Sequence, residues 1–522
     1  MPNFQQFLVP NVTSMLLQPF FLTILAFIFI LLFKWSFLPN RNTKKNSPPS
    51  PPKLPIIGNL HQLGWQPHRS LQTLAQRHGS LMLLHFGSVP VLVVSSADAA
   101  QEIMKTQDLN FANRPKSSMF DKLLYNYKDV SMAPYGEYWR QMKSILVLHL
   151  LSNKRVQSFC TVREEETFLM IDKIKESCSS SPVNLSEMFA KLTNDVICKV
   201  ALGRKYGEGE AGRKFKELLG ELGELLGAIN VGDYIPSLAW LNRVNGLDAK
   251  AEKVAQQLDD FLERVIDEHK NCQKKGDHNH GFSQENEDQK DFVDILLWIQ
   301  EENVIGFPVD RVSIKALILD AFAAGTDTTY TVLEWTMAEL IRHPKILKKM
   351  QNEVREIIGN KKYITENDLD KMHYLKAIIK ETLRFHPPIP LLVPRKSIQD
   401  AKIHGYDIAA STQVIINAWA IARDHTLWDE PEEFQPERFL TSSIDFKGHD
   451  FQLIPFGAGR RGCPGISFAI IAIELILANL VHNFEWTLPD GATGMDLDMT
   501  ESTGLSIHRK FPLMAIATPY FG

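Results

Sequence analysis

Cysteine is scarce in this chain: five in 522 residues, an odd number at wide spacing. No Cys-x-x-Cys pair occurs, which removes zinc-ribbon and thioredoxin-type chemistry. A domain this large needs no disulfide framework. Charge excess is missing too. Lys and Arg number 57 against 61 Asp and Glu, a formal net charge of −4, so nothing marks nucleic acid as a partner. No internal repeat is present, and no alternating strand–helix series of the kind a dinucleotide fold requires. What the chain does have is 44% hydrophobic residues, enough to bury a large core.

Charged side chains are absent from the first 33 residues, and Met15 to Phe33 is apolar almost throughout. At about 1.5 Å per residue this stretch crosses a hydrocarbon layer of roughly 30 Å. Lys34, Arg41, Lys44, Lys45 and Lys53 follow, which places the remainder in the cytosol. A cleaved signal peptide would carry its charge before the apolar run and small residues after it. Residues 1–34 are therefore expected to be a retained, single-pass membrane anchor. Residues 35–55 are basic and include Ser47-Pro48-Pro49-Ser50-Pro51-Pro52-Lys53-Leu54-Pro55, a semi-rigid extended hinge. Residues 56–522 read as the catalytic domain.

That domain patterns as mainly α with small β-sheets. Leu81 to Phe86 and Val89 to Val94 flank Gly87-Ser88 as a hairpin, and Val414 to Asn417 reads as a further strand. Lys270 to Lys290 is polar enough for a surface loop. Asp310 to His343 forms one long helix stopped by Pro344 and apolar over much of its circumference, which implies burial. Its middle, Ala323-Ala324-Gly325-Thr326-Asp327-Thr328-Thr329, breaks helix propensity. A buried helix that departs from the local rules is a candidate functional site.

The strongest local pattern is Pro455-Phe456-Gly457-Ala458-Gly459-Arg460-Arg461-Gly462-Cys463-Pro464-Gly465. Its glycines let backbone approach a flat ligand, and Arg461 offers planar donors to a carboxylate. Cys463 precedes an apolar helix, Ile466 to Phe484, whose N-terminal end favours a thiolate. Gly457, Gly459 and Gly462 also spell GxGxxG. Without an early βαβ unit, and with only about sixty residues remaining, that pattern reads as the turn presenting Cys463.

The segment FGAGRRGCPG resembles the FxxGxRxCxG signature of the cytochrome P450 family. Ala324 to Thr328 resembles its AGxDT motif, Glu381-Thr382-Leu383-Arg384 its ExxR motif, Pro436-Glu437-Arg438-Phe439 its PERF motif, and Pro48 to Pro52 its proline hinge. These occur in the family's order over nearly the whole chain. LMLLHFGSVPVLVVSS and NLSEMFAKLTND further resemble the plant microsomal branch, in the style of menthofuran synthase-like members.

The resemblance implies a cytochrome P450 fold and a haem-thiolate monooxygenase. Its cofactor would be haem b, with Cys463 as axial thiolate. Asp327 and Thr328 would handle protons. Trp139, Lys143, Arg395 and Arg461 would bind the haem propionates, Lys143 standing where the family usually has arginine. Glu381, Arg384 and Arg438 would form a buried structural network. Met119, Leu319, Phe322, Ala323, Ile389 to Val393, and Thr503 to Leu505 would contact a small lipophilic substrate, a terpenoid first. Coumarins and other phenylpropanoids, indoles or alkaloids are the alternatives. Electrons would come from NADPH-cytochrome P450 reductase, with cytochrome b5 as a second donor, at the endoplasmic reticulum membrane. A reductase-independent isomerase or dehydratase is the alternative class.

Overall fold

The computed structural model describes residues 22–24, 26–27, 29–30, 46–177, 181–206, 209–228, 230–274, 290–303 and 306–520. Of the expected anchor, the described residues are helical, and Leu22, Phe27 and Phe29 are exposed. The rest of residues 1–34, the hinge before Asn46, Cys178, and residues 275–289 of the expected polar loop lie outside the described residues.

Five helices organise the site: α1 (Glu137–His149), α2 (Leu185–Leu202), α3 (Arg311–Arg342), α4 (His373–Phe385) and α5 (Ile466–Asn483). The central helix α3 begins where expected, because the Asp310 side chain caps it by accepting from Ser313 N–H at 2.7 Å. Pro344 then opens the next helix. As expected, α3 is one continuous helix, and it runs through Gly325 to Thr329 despite their poor propensity. Thr328 and Thr331 bond back to carbonyls four residues earlier, Thr331 Oγ1 donating to Asp327 O at 2.8 Å. Gly325 admits α2: a Cβ there would lie 2.8 Å from Ile197 Cδ1.

Among the described residues, α5 alone is long and apolar enough to cross a membrane, but 78% of it is buried. It is a core helix. It joins α2, α3 and α4 in one large apolar cluster, where each fully buried Leu or Ile contributes about 1.5–3 kcal/mol.

The expected hairpin is present, β1 (Leu81–Phe86) against β2 (Val89–Val94). Its sheet continues through β4 (Gln413–Ile416), parallel to β2, to β3 (Arg395–Lys396). Side chains alternate between faces. Leu92, Val94, Val414 and Ile416 enter one apolar cluster, and Val91, Val93 and Ile415 another. A three-stranded antiparallel sheet joins Val183–Asn184, Met514–Pro519 and Phe484–Thr487. The proline segment lies along the domain: Leu83 N–H donates to Pro49 O at 2.9 Å, and Asn59 Nδ2 to Pro52 O at 3.3 Å.

Candidate functional site

The cysteine loop is shaped by what it touches. Gly459 has φ +67°, and a Cβ there would lie 2.1 Å from the Met104 carbonyl oxygen. No other residue allows this approach. Asp108 clamps the loop. It accepts from Arg460 N–H at 3.0 Å and from Arg395 Nη1 at 3.2 Å. Arg395 in turn donates from Nη2 to Ala458 O at 2.7 Å. Cys463 N–H closes the loop onto Phe456 O at 2.9 Å. Turns rather than a strand precede it, so the GxGxxG spacing is the turn around Cys463.

The Cys463 Sγ accepts Gly465 N–H at 3.4 Å. Burial is the largest influence on this thiol and pushes it up, while Gly465 N–H and Lys143 pull it down. The net direction is upward, because burial disfavours the charged thiolate. Cys463 is nonetheless accessible. So is Ala324, midway along the otherwise buried α3, which packs on α5.

Basic side chains gather beside the loop. Arg461 donates from Nε to Ala112 O at 2.7 Å, from Nη1 to Val130 O at 3.3 Å, and from Nη2 to Ala133 O. Its guanidinium lies 4.3 Å from the Trp139 ring centroid, and Lys143 Nζ lies 5.2 Å from it. Lys143 also donates to Arg460 O. Trp139 Nε1 donates to Val130 O at 2.9 Å. Arg114 joins from the preceding loop, donating to Ser131 O at 2.9 Å and Pro394 O at 2.8 Å.

Burial, then mutual repulsion, holds these cations below their ordinary values. Arg461 falls to about 10, chiefly by burial and then by Arg395. Arg114 falls well below its usual range through burial and then Arg461 and Arg395. Burial and then Arg461 lower Lys143. Enclosed cations that repel one another fit a ligand with two carboxylates. Together with an accessible cysteine, this donor set fits haem b. Neither Asp108 nor Arg114 is found from the sequence, since neither lies in a motif.

On α3, Asp327 and Thr328 are half-buried. Thr328 Oγ1 donates to Ala324 O at 2.6 Å, which orients its lone pairs away from the helix axis. Thr326 Oγ1 is buried without a partner.

Glu381 and Arg384 on α4 form a bidentate pair, Nε to Oε2 and Nη2 to Oε1 both at 2.8 Å. Arg384 Nη1 also donates to Ala422 O and Pro431 O, each at 2.8 Å. Arg438 Nε reaches Glu381 Oε1 at 3.2 Å. The three expected network residues are thus in contact. Of the expected substrate positions, Met119, Leu319 and Phe322 are buried in the main apolar cluster, with Ala323 and Val393 packed at its margin. Ile389 and Leu505 are half-buried outside that cluster. Leu505 instead lies against Gly227, where a Cβ would meet Leu505 N at 2.4 Å.

A mainly helical architecture with small sheets of this topology is the fold of haem-thiolate oxygenases. The chain belongs to the cytochrome P450 family, which it matches over residues 48–513. It is 63% identical over 516 residues to Cytochrome P450 736A117 of Prunus mume, covering 98% of each chain. It is 54% identical over 504 residues to norfluorocurarine oxidase of a Strychnos species, covering 96% of this chain and 98% of that one. With Cytochrome P450 71A4 of Solanum melongena the identity is 55% over 500 residues, 96% and 97% covered. A zebra fish cytochrome P450 solved with abiraterone superposes with a TM-score of 0.71, at 24% identity, over 87% of this chain and 100% of that one. That likeness concerns the fold. The protein is accordingly a plant-type haem-thiolate monooxygenase, of a family that carries haem on a cysteine thiolate and draws on redox partners and O₂.

Proposed function

We propose that Cys463 is the axial ligand of haem b and that the protein oxidises a small lipophilic plant specialised metabolite. The observation that carries this reading is the accessible Cys463 enclosed beside a self-repelling cluster of cations. When bound, haem supplies activation of O₂ and transfer of one oxygen atom to the substrate.

The chain's own residues do the rest. Arg461, Arg395, Lys143 and Arg114 neutralise the propionates, and Trp139 forms the wall on which Arg461 and Lys143 stack. Glu381, Arg384 and Arg438 hold the segments around the loop in place. The Thr328 hydroxyl orders a water, and Asp327, half-buried beside it, passes protons inward from solvent. Met119, Leu319, Phe322, Ala323 and Val393, with Ile389 and Leu505 at the edge, exclude water and select for apolar shape.

Residues 1–34 anchor the protein in the endoplasmic reticulum membrane, residues 35–55 lead into the cytosolic domain, and 56–522 carry the chemistry. The exposed apolar helix residues Leu22, Phe27 and Phe29 suit a lipid environment. Electrons come from NADPH-cytochrome P450 reductase, with cytochrome b5 as a second donor. A terpenoid is the first substrate class. An alkaloid is the second, favoured by the identity with norfluorocurarine oxidase. The acid–threonine pair on α3 argues against a reductase-independent isomerase or dehydratase.

The test is a carbon monoxide difference spectrum of reduced microsomes, with Cys463→Ser alongside, then a terpenoid and alkaloid screen with reductase. A strongly red-shifted Soret band lost in C463S, and turnover that requires NADPH, support the reading. A band of ordinary histidine-ligated position overturns the ligand assignment. Product formed without NADPH overturns the monooxygenase mechanism.

A further inference from the structure

Asp320 lies on α3, two turns before Asp327, and belongs to no motif. Its Oδ2 accepts the Val130 N–H at 2.5 Å. The Val130 carbonyl accepts from Trp139 Nε1 at 2.9 Å and from Arg461 Nη1 at 3.3 Å. One residue therefore stands between the central helix and two groups read above as holders of the cofactor's carboxylates.

The neighbouring loop repeats the arrangement. Asp129 accepts Met132 N–H at 2.7 Å and the Ser131 hydroxyl. Ser131 O accepts Arg114 Nε at 2.9 Å, and Ala133 O accepts Arg461 Nη2. Residues 129–133 thus turn N–H groups toward carboxylates and carbonyls toward cations. Bonds aligned in this way polarise one another.

We propose that Asp320 is a positioning residue for the cofactor: by holding the Val130 N–H, it fixes the carbonyls that aim Arg461 and Trp139. The inference rests on the reading of Arg461 as a propionate contact. Asp129 is buried and Asp320 half-buried. Burial, and then Asp129, raises Asp320 well above the usual carboxylate range, and burial raises Asp129 while Arg114 opposes it. The geometry requires only an oxygen acceptor at this position, facing Val130 N–H. Asparagine reproduces that acceptor without the charge.

The experiment follows haem transfer from the purified holoenzyme to apomyoglobin, which reads cofactor retention without turnover. D320A is expected to release haem about tenfold faster, the usual cost of removing a group that orients a ligand holder. D320N is expected to stay near the native rate. D320A/R461A should release haem more slowly than the two single effects multiplied, because both share the Val130 carbonyl. If D320A does not fold, D320E displaces the carboxyl by one methylene and carries the same expectation with a smaller effect. A native rate in D320A or D320E, with R461A fast, overturns the proposal. So does full additivity with R461A, which is the outcome for a merely structural acid. A native rate in R461A instead overturns the propionate reading.

Discussion

Arg384 grips Glu381 one turn away on α4 with two hydrogen bonds of 2.8 Å, and neither side chain touches solvent. A pair at this spacing on a surface is worth little. Here the remaining guanidinium donors end on the carbonyls of Ala422, Pro431 and Glu433. The pair therefore staples α4 to the chain that leads into the PERF segment.

Breaking it strands a buried charge. Glu381→Gln or Arg384→Ala should cost about 3–5 kcal/mol, a large share of the roughly 5–15 kcal/mol a folded protein possesses. Thermal unfolding and the yield of haem-loaded protein measure this. Arg384→Lys should lose nearly as much, because an ammonium has no fork to span both oxygens.

Gly459→Ala should fail for a different reason. Its φ of +67° strains any L side chain, at about 1–3 kcal/mol, and the new methyl would collide with the Met104 carbonyl at 2.1 Å. Gly457→Ala shares the positive φ, but its Cβ meets nothing nearer than Met104 Cε at 3.7 Å. A scan of both variants should show G459A with the lower unfolding temperature and weaker haem retention.

Thr328→Ala and Asp327→Asn leave the cysteine loop untouched. The carbon monoxide spectrum should be unchanged in both. Product formed per NADPH consumed should fall by about 10²-fold, the lower end of the scale for a lost proton-transfer group. An unchanged ratio in both variants would remove these residues from proton delivery.

Acid stability should depend on Glu501. Burial alone pushes this carboxyl up, but hydrogen bonds from His68 and Arg69 overcome it and hold it at about 2, against an ordinary 4.5. A depressed folded value stabilises above the unfolded value, so the contribution is present above 4.5 and is lost as pH falls toward 2. Its size is on the order of 3 kcal/mol. Glu501→Gln should lower the unfolding temperature at neutral pH and flatten its decline below 4.5.

Much of this protein is legible in the linear order of its residues. The Leu81–Phe86 and Val89–Val94 hairpin follows from two apolar runs around Gly87-Ser88. Helix α3 follows from its Asp310 cap and Pro344 stop. The Glu381–Arg384 contact follows from a spacing of three on one helix. In each case the determinant is an interaction among residues a few positions apart, which a linear pattern records. Why a glycine stands at position 325 is not legible in this way: it gives room to Ile197 of α2, a residue distant in the chain.

The sequence by itself determined the elements, the cysteine loop and the family. The tertiary structure decided the charge around that loop. Asp108 meets Arg395 and Arg460, Arg114 meets the carbonyl of Pro394, and Asp320 meets Val130 across large separations in the chain. Asp108, Arg114 and Asp320 have no pattern around them. Whether such a group is a solvated surface charge or a buried clamp depends on which distant segment excludes water from it, and only packing settles that.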